Sequence, residues 1–211
     1  MKIKLLLAAA ALLALLFLAS ALLNLDEPTF TLMERGDDFE LRRYEPFMVA
    51  ETEIEGAFAA SGAPAFRVLL DYIKGNNQGG RNIPMTAPVN QQAADAAAAG
   101  GDNDRSGRWR YQFVMPKEYL PSMLPQPADQ RVSLRLVPGR LLAARRYRGD
   151  WSEARYREQE AKLLTALDQA RLQPVGEPIF ARYNAPFIPG FLRRNEVLVQ
   201  VRDPAPATPA P

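Results

Sequence analysis

The sequence predicts an α+β fold in which eight antiparallel strands close into a barrel beside two helices. Eight segments have the period of half-buried strands and two have the period of helices. The order strand, strand, helix, strand, strand occurs twice. Residues 41–58 also resemble residues 134–151 at an offset of 93. A duplicated ββαββ unit with pseudo-twofold symmetry can close into one barrel and so remove its own sheet edges.

Alternating apolar and polar residues define the strands. The clearest segment is 108–115, in which Trp109, Tyr111 and Phe113 share one face. The others are 38–44, 47–55, 81–91, 131–137, 140–148, 178–184 and 195–201. The segment 81–91 contains NIPMTAPV, whose two prolines each remove a ladder donor. It is therefore expected to be an edge strand or a kinked one.

Two segments have helical spacing, one in each half of the chain. The first is predicted over 64–74, and its apolar side chains at i, i+3, i+4 and i+7 are Phe66, Leu69, Leu70 and Ile73. The second begins at Ser152, a plausible N-cap, and runs to about Ala170. The halves then span about 38–116 and 131–201, inside a domain of residues 30–203.

The first 25 residues differ from the rest in composition. Lys2 and Lys4 precede a run from Leu5 to Leu25 that carries no charge. This pattern favours export over a buried core helix. A cleaved signal peptide and an N-terminal membrane anchor both remain open, because such a run can also span roughly 30 Å of hydrocarbon. Either would place the domain outside the cytoplasm, in the periplasm or on the inner membrane.

Other stretches have biased composition. Residues 91–107 are of low complexity and are expected to form a mobile loop. The Pro/Ala tail at 204–211 is expected to be disordered and extended.

Composition argues against several classes of function. The chain has no cysteine and no histidine, so it lacks disulfides and the commonest metal ligand and general base. Without the two lysines of the leader, basic and acidic residues balance, which disfavours nucleic-acid binding. No nucleophile–base pair, phosphate loop or metal spacing is present, so we expect no enzyme. An acid–base pair among Asp71, Glu118 and Glu153 is left open.

Four stretches resemble the SOUL haem-binding family: 39–52, 65–77, 82–89 and 182–197. The most specific are NIPMTAPV and the last one, in which YNAPF precedes RRNEV. The resemblance covers about 39–201. It implies a distorted eight-stranded barrel flanked by two helices, in two pseudo-symmetric halves, that binds haem or another tetrapyrrole. The fold is shared with small-molecule effector-binding domains, so it does not settle the ligand.

The resemblance also implies a groove between the first helix and the loop before RRNEV. The apolar residues that correspond to it are Phe66, Leu70, Ile73 and Phe187. Cations available for the haem carboxylates are Arg67, Lys74, Arg81, Arg193 and Arg194. The alternatives are core packing for the apolar set and, for the cations, a solvated surface or salt bridges to Glu196 or Asp71. Asp71 and Ile188 stand where some relatives carry a lysine.

Axial ligation of iron would have to come from methionine, tyrosine or a deprotonated lysine. Met85, Met48 and Tyr183 are conceivable, although filling of the barrel explains each better. Asn195 and Glu196 are expected to hold the loop. We therefore expect haem to bind without a strong axial ligand, with the protein acting as a carrier or buffer in the cell envelope. The alternatives are a module for another apolar small molecule and an envelope interaction protein with no ligand; the oligomeric state is open.

Overall fold

The computed structural model describes residues 25–95 and 107–203, and the predictions for the leader, for most of the low-complexity stretch and for the Pro/Ala tail lie outside these residues. The strands are β1 (Phe30–Arg35), β2 (Glu40–Tyr44), β3 (Phe47–Gly56), β4 (Val89–Ala93), β5 (Gly107–Val114), β6 (Ser133–Val137), β7 (Arg140–Arg148), β8 (Pro174–Arg182) and β9 (Arg194–Val201). The helices are α1 (Gly62–Ile73) and α2 (Glu153–Gln169), with short 3₁₀ turns at Pro121–Met123 and Gly190–Leu192. Neither α1 nor α2 has the length and hydropathy needed to cross a bilayer.

The strands form one antiparallel sheet in the order β1-β2-β7-β9-β8-β4-β5-β3-β6. The α+β class with two helices is confirmed, but the predicted number of eight strands is wrong by one. β1 was missed because its residues do not alternate in burial: after Phe30 all of them are exposed, and the strand pairs only with β2. Within the described residues β1 and β6 are the two ends of the sheet, and closure of the barrel stays a prediction.

The pairing of the strands has the predicted pseudo-twofold symmetry. Among the eight strands other than β1, exchanging β2 with β6, β3 with β7, β4 with β8 and β5 with β9 reproduces the same order in reverse. The register agrees as well. Glu40 pairs with Ala144, and a shift of 93 positions carries this pair onto Ser133 and Glu51, which also pair. The sequence repeat at an offset of 93 therefore corresponds to a structural repeat, in which β2 and β3 match β6 and β7.

The two helices lie close to their predicted positions. α1 begins two residues earlier than predicted and ends one residue earlier. Its fully buried face consists of Ala65, Val68, Leu69, Tyr72 and Ile73, whereas Phe66 and Leu70 are only partly buried. Ser152 is the N-cap of α2, and its Oγ accepts a hydrogen bond from the backbone N–H of Arg155 at 3.4 Å. One edge of α1 thus keeps apolar surface outside the core.

The hydrophobic residues form two clusters on opposite faces of the sheet. Leu141 belongs to the larger cluster and its neighbour Leu142 to the smaller one, as alternation along a strand requires. The larger cluster lies between the sheet and both helices, where the ring of Phe180 stacks at 5.0 Å on Tyr156. The smaller cluster is covered by Leu25, Phe30 and Phe47. The domain therefore includes Leu25, five residues before the predicted start.

Candidate ligand-binding site

The loop between β8 and β9, residues 183–193, is held at its base by a buried ionic network. Glu196 is 0% exposed and accepts hydrogen bonds from Arg42 Nη1 at 2.7 Å, the Tyr183 hydroxyl at 2.9 Å and Arg194 Nη2 at 3.0 Å. Burial alone would raise the pKa of Glu196, but its bonds to Arg42 and the charges of Arg42 and Arg194 outweigh burial and lower it. The carboxylate is therefore ionised and fully used inside the protein.

Two asparagine side chains also hold the base of the β8–β9 loop. The amide of Asn195 donates to the carbonyl of Gly149 at 3.1 Å, and its Oδ1 accepts from the indole N–H of Trp151 at 2.9 Å. Oδ1 of Asn184 accepts from the backbone N–H of Arg194 at 2.5 Å. The conspicuous residues of YNAPF and RRNEV thus fix the loop against β7 and the start of α2. These contacts agree with the structural role expected for Asn195 and Glu196.

The predicted apolar residues are placed unequally. The ring of Phe66 is partly buried and lies 5.4 Å from the ring of Phe113 on β5, and Leu70 is partly buried one turn further along α1. Ile73 is 1% exposed and belongs to the core, so a ligand on the surface of α1 does not reach it. Phe187 is 72% exposed, and no ring contact joins it to Phe66 in the described chain. Phe66, Leu70 and Phe187 therefore remain available to a ligand.

The predicted cations divide into free and engaged ones. Arg67 and Lys74 are exposed on α1 and form no hydrogen bond or ion pair through their side chains with any described residue. Arg81 donates to the carbonyl of Met123 at 2.9 Å. Arg194 is engaged by Glu196 and also by Glu27, at 2.8 Å. Of this set, Arg67 and Lys74 are the cations without a partner.

Arg193 supports the loop from within. Its Nε donates to the carbonyl of Ile188 and its Nη2 to that of Pro186, each at 2.6 Å. Its guanidinium also lies 4.3 Å from the centre of the Trp151 ring. These contacts leave Arg193 a structural role in shaping the loop.

Arg182, at the end of β8, was not among the predicted site residues. Its guanidinium lies 5.3 Å from the centre of the Trp151 ring, and its Nη2 donates to the side-chain oxygen of Gln91. A Cβ at Gly62, the first residue of α1, would lie 3.5 Å from its Nη1. Because Trp151 also contacts Arg193, Arg182 lies between the start of α1 and the loop.

Arg182 is a partly buried cation with no carboxylate beside it. It forms no ion pair with any described residue, and its Nε has no hydrogen-bond partner. Burial lowers the pKa of its guanidinium, and the nearby hydroxyls of Tyr111 and Tyr147 offset this effect only in part. A buried charge without a counter-ion is costly even when it is hydrogen-bonded, so this position is suited to an incoming carboxylate.

The possible axial ligands are all engaged in packing or hydrogen bonds. Met48 is 8% exposed in the core, and Met85 is partly buried against the same cluster. Burial, followed by the charge of Glu196, raises the pKa of the Tyr183 hydroxyl well above its ordinary value, which disfavours a phenolate ligand. The described residues contain no cluster of acidic side chains that could hold a metal ion. Met48, Met85 and Tyr183 are therefore all used within the protein.

A concavity of about 310 Å³ lies between the segment before β1, the turn from β2 to β3 and the segment after β5. Its apolar wall includes Phe47, Met48, Tyr119 and Leu120. The segment NIPMTAPV borders it, because Thr86 donates to the carbonyl of Val114, a lining residue. Most of the stretch predicted as a strand over 81–91 lies outside β4, which begins at Val89 after both prolines, and β4 pairs with β8 and β5, so the expectation of an edge strand is wrong.

The acidic candidates for catalysis are not brought together. Asp71 lies on α1, Glu118 follows β5, and Glu153 begins α2, where it pairs with Arg157 at 3.4 Å. Glu51 pairs with Arg135 at 2.9 Å. No contact joins these acids to one another in the part of the chain that the structure describes.

Comparison with known proteins gives one match in sequence and several in structure. The family model "SOUL heme-binding protein" matches residues 25–200. No curated protein matches the chain. The C-terminal domain of EcmrR is similar in structure, with a TM-score of 0.56 and 10% identity over 77% of this chain and 95% of that one. A hydrolase encoded by lin2189 from Listeria innocua gives 0.56 and 10% over 81% and 94%. At this identity the similarity shows a shared fold.

Proposed function

Because this chain belongs to the SOUL haem-binding protein family, we propose that it binds haem or a related tetrapyrrole reversibly, as a carrier or buffer in the cell envelope. The macrocycle lies along the outer edge of α1 against Phe66 and Leu70, and Phe187 encloses it from the loop. Bound haem would supply a redox-active iron, while the residues of this chain bind and orient the macrocycle.

Arg182 is the observation that carries this proposal. It is a partly buried guanidinium without a carboxylate partner, located between α1 and the loop. A haem propionate would provide the missing charge, and guanidinium and carboxylate groups form strong charge-assisted hydrogen bonds. The Trp151 ring, which stacks on both Arg182 and Arg193, keeps this guanidinium in place.

Arg67 and Lys74 support binding from the solvent side. Arg67 lies on α1 and Lys74 is the C-cap residue of that helix, so the two are seven residues and roughly 10 Å apart along the helix axis. They flank Leu70, and the spacing i, i+4 places Lys74 on the same side of α1 as Phe66 and Leu70. Both are exposed, so their contribution to affinity is expected to be small and sensitive to salt.

Affinity in this arrangement comes mainly from apolar burial. We expect a dissociation constant near micromolar, roughly −8 kcal/mol. At about 25 cal/mol per Å² of apolar surface, enclosure of the macrocycle can supply most of this free energy without a strong axial ligand. Loss of the apolar wall should therefore matter more than loss of a possible ligand atom.

The test is a haemin titration of residues 25–203, which contain both hydrophobic clusters, followed at the Soret band. Phe66→Ala combined with Phe187→Ala should weaken binding by roughly 2–4 kcal/mol, allowing for some collapse of the groove. Met85→Leu is the matched control, since it keeps the volume and removes the sulfur, and it should change little. If Met85→Leu abolishes binding while the double variant binds normally, NIPMTAPV holds the ligand and the proposed groove is wrong.

The envelope location rests on the composition of residues 1–25. A reporter enzyme that works only in the cytoplasm, fused after Pro211, should be inactive if this segment directs export. The matched control is the same fusion without residues 1–25 of this chain, and its reporter should be active. Full activity of the intact fusion would contradict the envelope location without affecting the haem site.

A second candidate function is favoured by the 310 Å³ groove beside Phe47 and Leu120. Its volume is at the lower end of the range for small-molecule pockets, roughly 300–1,000 Å³. It would suit a small apolar molecule carrying a positive charge, because Asp26 and Glu45 line it without an ion pair to any described residue, whereas Glu27 is paired with Arg194 and Lys117 is the one cation among the lining residues. An amphipathic cation should then stabilise the wild type against heat but not Leu120→Asp. This result, together with no Soret change when haemin is added, would support this function over haem binding.

A further inference from the structure

The tip of the β8–β9 loop exposes a group of large apolar side chains. Phe187 is 72% exposed, Phe191 73% and Leu192 51%. We call these three residues the apolar tip. Single exposed apolar residues are ordinary on protein surfaces, but two phenylalanines and a leucine within six residues form a patch that typically marks an interaction site.

The backbone of this loop is already hydrogen-bonded within the protein. Arg193 binds the carbonyls of Pro186 and Ile188, and Arg148 donates to the carbonyl of Leu192 at 3.2 Å. Gly190 packs closely on the segment that follows β7, and a Cβ at this position would lie 3.4 Å from the backbone nitrogen of Asp150. A loop with satisfied carbonyls can enter an apolar phase at much lower cost than an open one.

Cations stand at the border of the apolar tip. Arg148 donates to the carbonyl of Leu192 and Arg193 to that of Ile188, whereas Arg155, in the first turn of α2, pairs with Glu158 at 3.1 Å. Asp150 accepts a hydrogen bond from the hydroxyl of Ser152 at 2.8 Å. Aromatic side chains with arginines at their border are the pattern of a surface that enters the headgroup region of anionic lipids.

The described chain also begins beside this loop. Leu25 packs in the same cluster as Tyr183, and Glu27 pairs at 2.8 Å with Arg194, two residues after the apolar tip. The uncharged run that ends at Leu25 therefore joins the domain next to both ends of the loop. A bilayer that holds this run lies within reach of the loop.

We propose that the apolar tip docks the domain onto a lipid bilayer by inserting Phe187, Phe191 and Leu192 among the headgroups. Insertion places the groove along α1 next to the membrane surface. The proposal needs no haem, and it shares only Phe187 with the proposed groove.

The absence of cysteine allows a direct test with the full chain. Leu192→Cys carries an environment-sensitive NBD label, and the protein is reconstituted in vesicles of phosphatidylcholine with a minority of phosphatidylglycerol. The matched control is Val175→Cys, 40% exposed and roughly 23 Å along β8 from Arg182, after which the loop begins. We expect a blue shift and quenching by doxyl-labelled lipid at position 192 but not at 175.

Phe187→Ser with Phe191→Ser should reduce the ratio of inserted to free tip by roughly 10–100-fold, because two apolar side chains lose their burial in lipid. Both side chains are largely exposed, so the fold should be unchanged by circular dichroism. Equal quenching at positions 192 and 175, or quenching that persists in the double serine variant, would overturn the proposal. A blue shift without doxyl quenching would also overturn it, since residues 1–24 or a second copy would then cover the loop.

Discussion

Replacement of Glu196 by glutamine should destabilise the domain by about 3 kcal/mol. Removal of one partner from a buried ion pair typically costs about 3–5 kcal/mol, because the other charge stays buried and unpaired. Arg42, 4% exposed, would lose bonds of 2.7 and 3.2 Å. The value should lie at the lower end of the range because Glu40 still pairs with Arg42 at 2.8 Å.

Urea unfolding followed by circular dichroism measures this change in the free energy of unfolding. Glu53→Gln is the matched control, because it removes a similar carboxylate from Arg110 at a side chain that is 34% exposed. That variant should cost less than about 1 kcal/mol. Equal small effects of both substitutions would refute the inference that the network at the loop base stabilises the fold.

The dependence on pH gives an independent check of the same network. The folded-state pKa of Glu196 is lowered, so its contribution is complete above the unfolded-state pKa, near 4.5, and is lost as the pH falls through the folded-state pKa. The advantage of the wild type over Glu196→Gln should therefore be constant near neutrality and shrink in acid. An advantage that grows in acid would contradict the ionised state assigned to Glu196.

Two further substitutions test separate parts of the fold. Ser152→Ala should lower the free energy of unfolding by about 1 kcal/mol in urea titrations, because the N-cap bond of α2 is lost, and a stabilised variant would contradict that capping role. Ile73→Ala should cost about 2–5 kcal/mol by opening a cavity in the core but leave haemin affinity of the folded protein unchanged; a specific loss of affinity would return Ile73 to the binding site.

Most of the fold could be predicted because it follows from local periodicity. The alternation at 108–115 is that of β5, and the repeat at offset 93 reappears as matched registers between Glu40–Ala144 and Ser133–Glu51. β1 could not be predicted, because all of its residues except Phe30 are exposed and its sequence shows no alternation. Its pairing with β2 is what makes it a strand.

The site was harder to predict than the fold. Helical spacing put Phe66, Leu70 and Ile73 on one apolar face and the family resemblance assigned them to the groove, but neither separated the first two from the fully buried Ile73. Arg182 escaped notice because its surroundings come from Gln91 and Trp151, which lie far from it in sequence and meet it only through the sheet. The one local signal for Arg182 was its place in a strand directly after three buried residues, Ile179–Ala181.

Comparison of haemin with its dimethyl ester, in the wild type and in Arg182→Gln, is the measurement that tests the central claim most directly. The wild type should bind haemin about tenfold more tightly than the ester, since a charge-assisted bond is worth roughly 1.5–3 kcal/mol before screening. Arg182→Gln should lose most of this preference, keeping only the small, salt-sensitive part that Arg67 and Lys74 supply. A wild type that does not discriminate, or a preference of unchanged size in Arg182→Gln, would contradict the carboxylate site, and a folded domain that binds neither form would contradict haem binding itself.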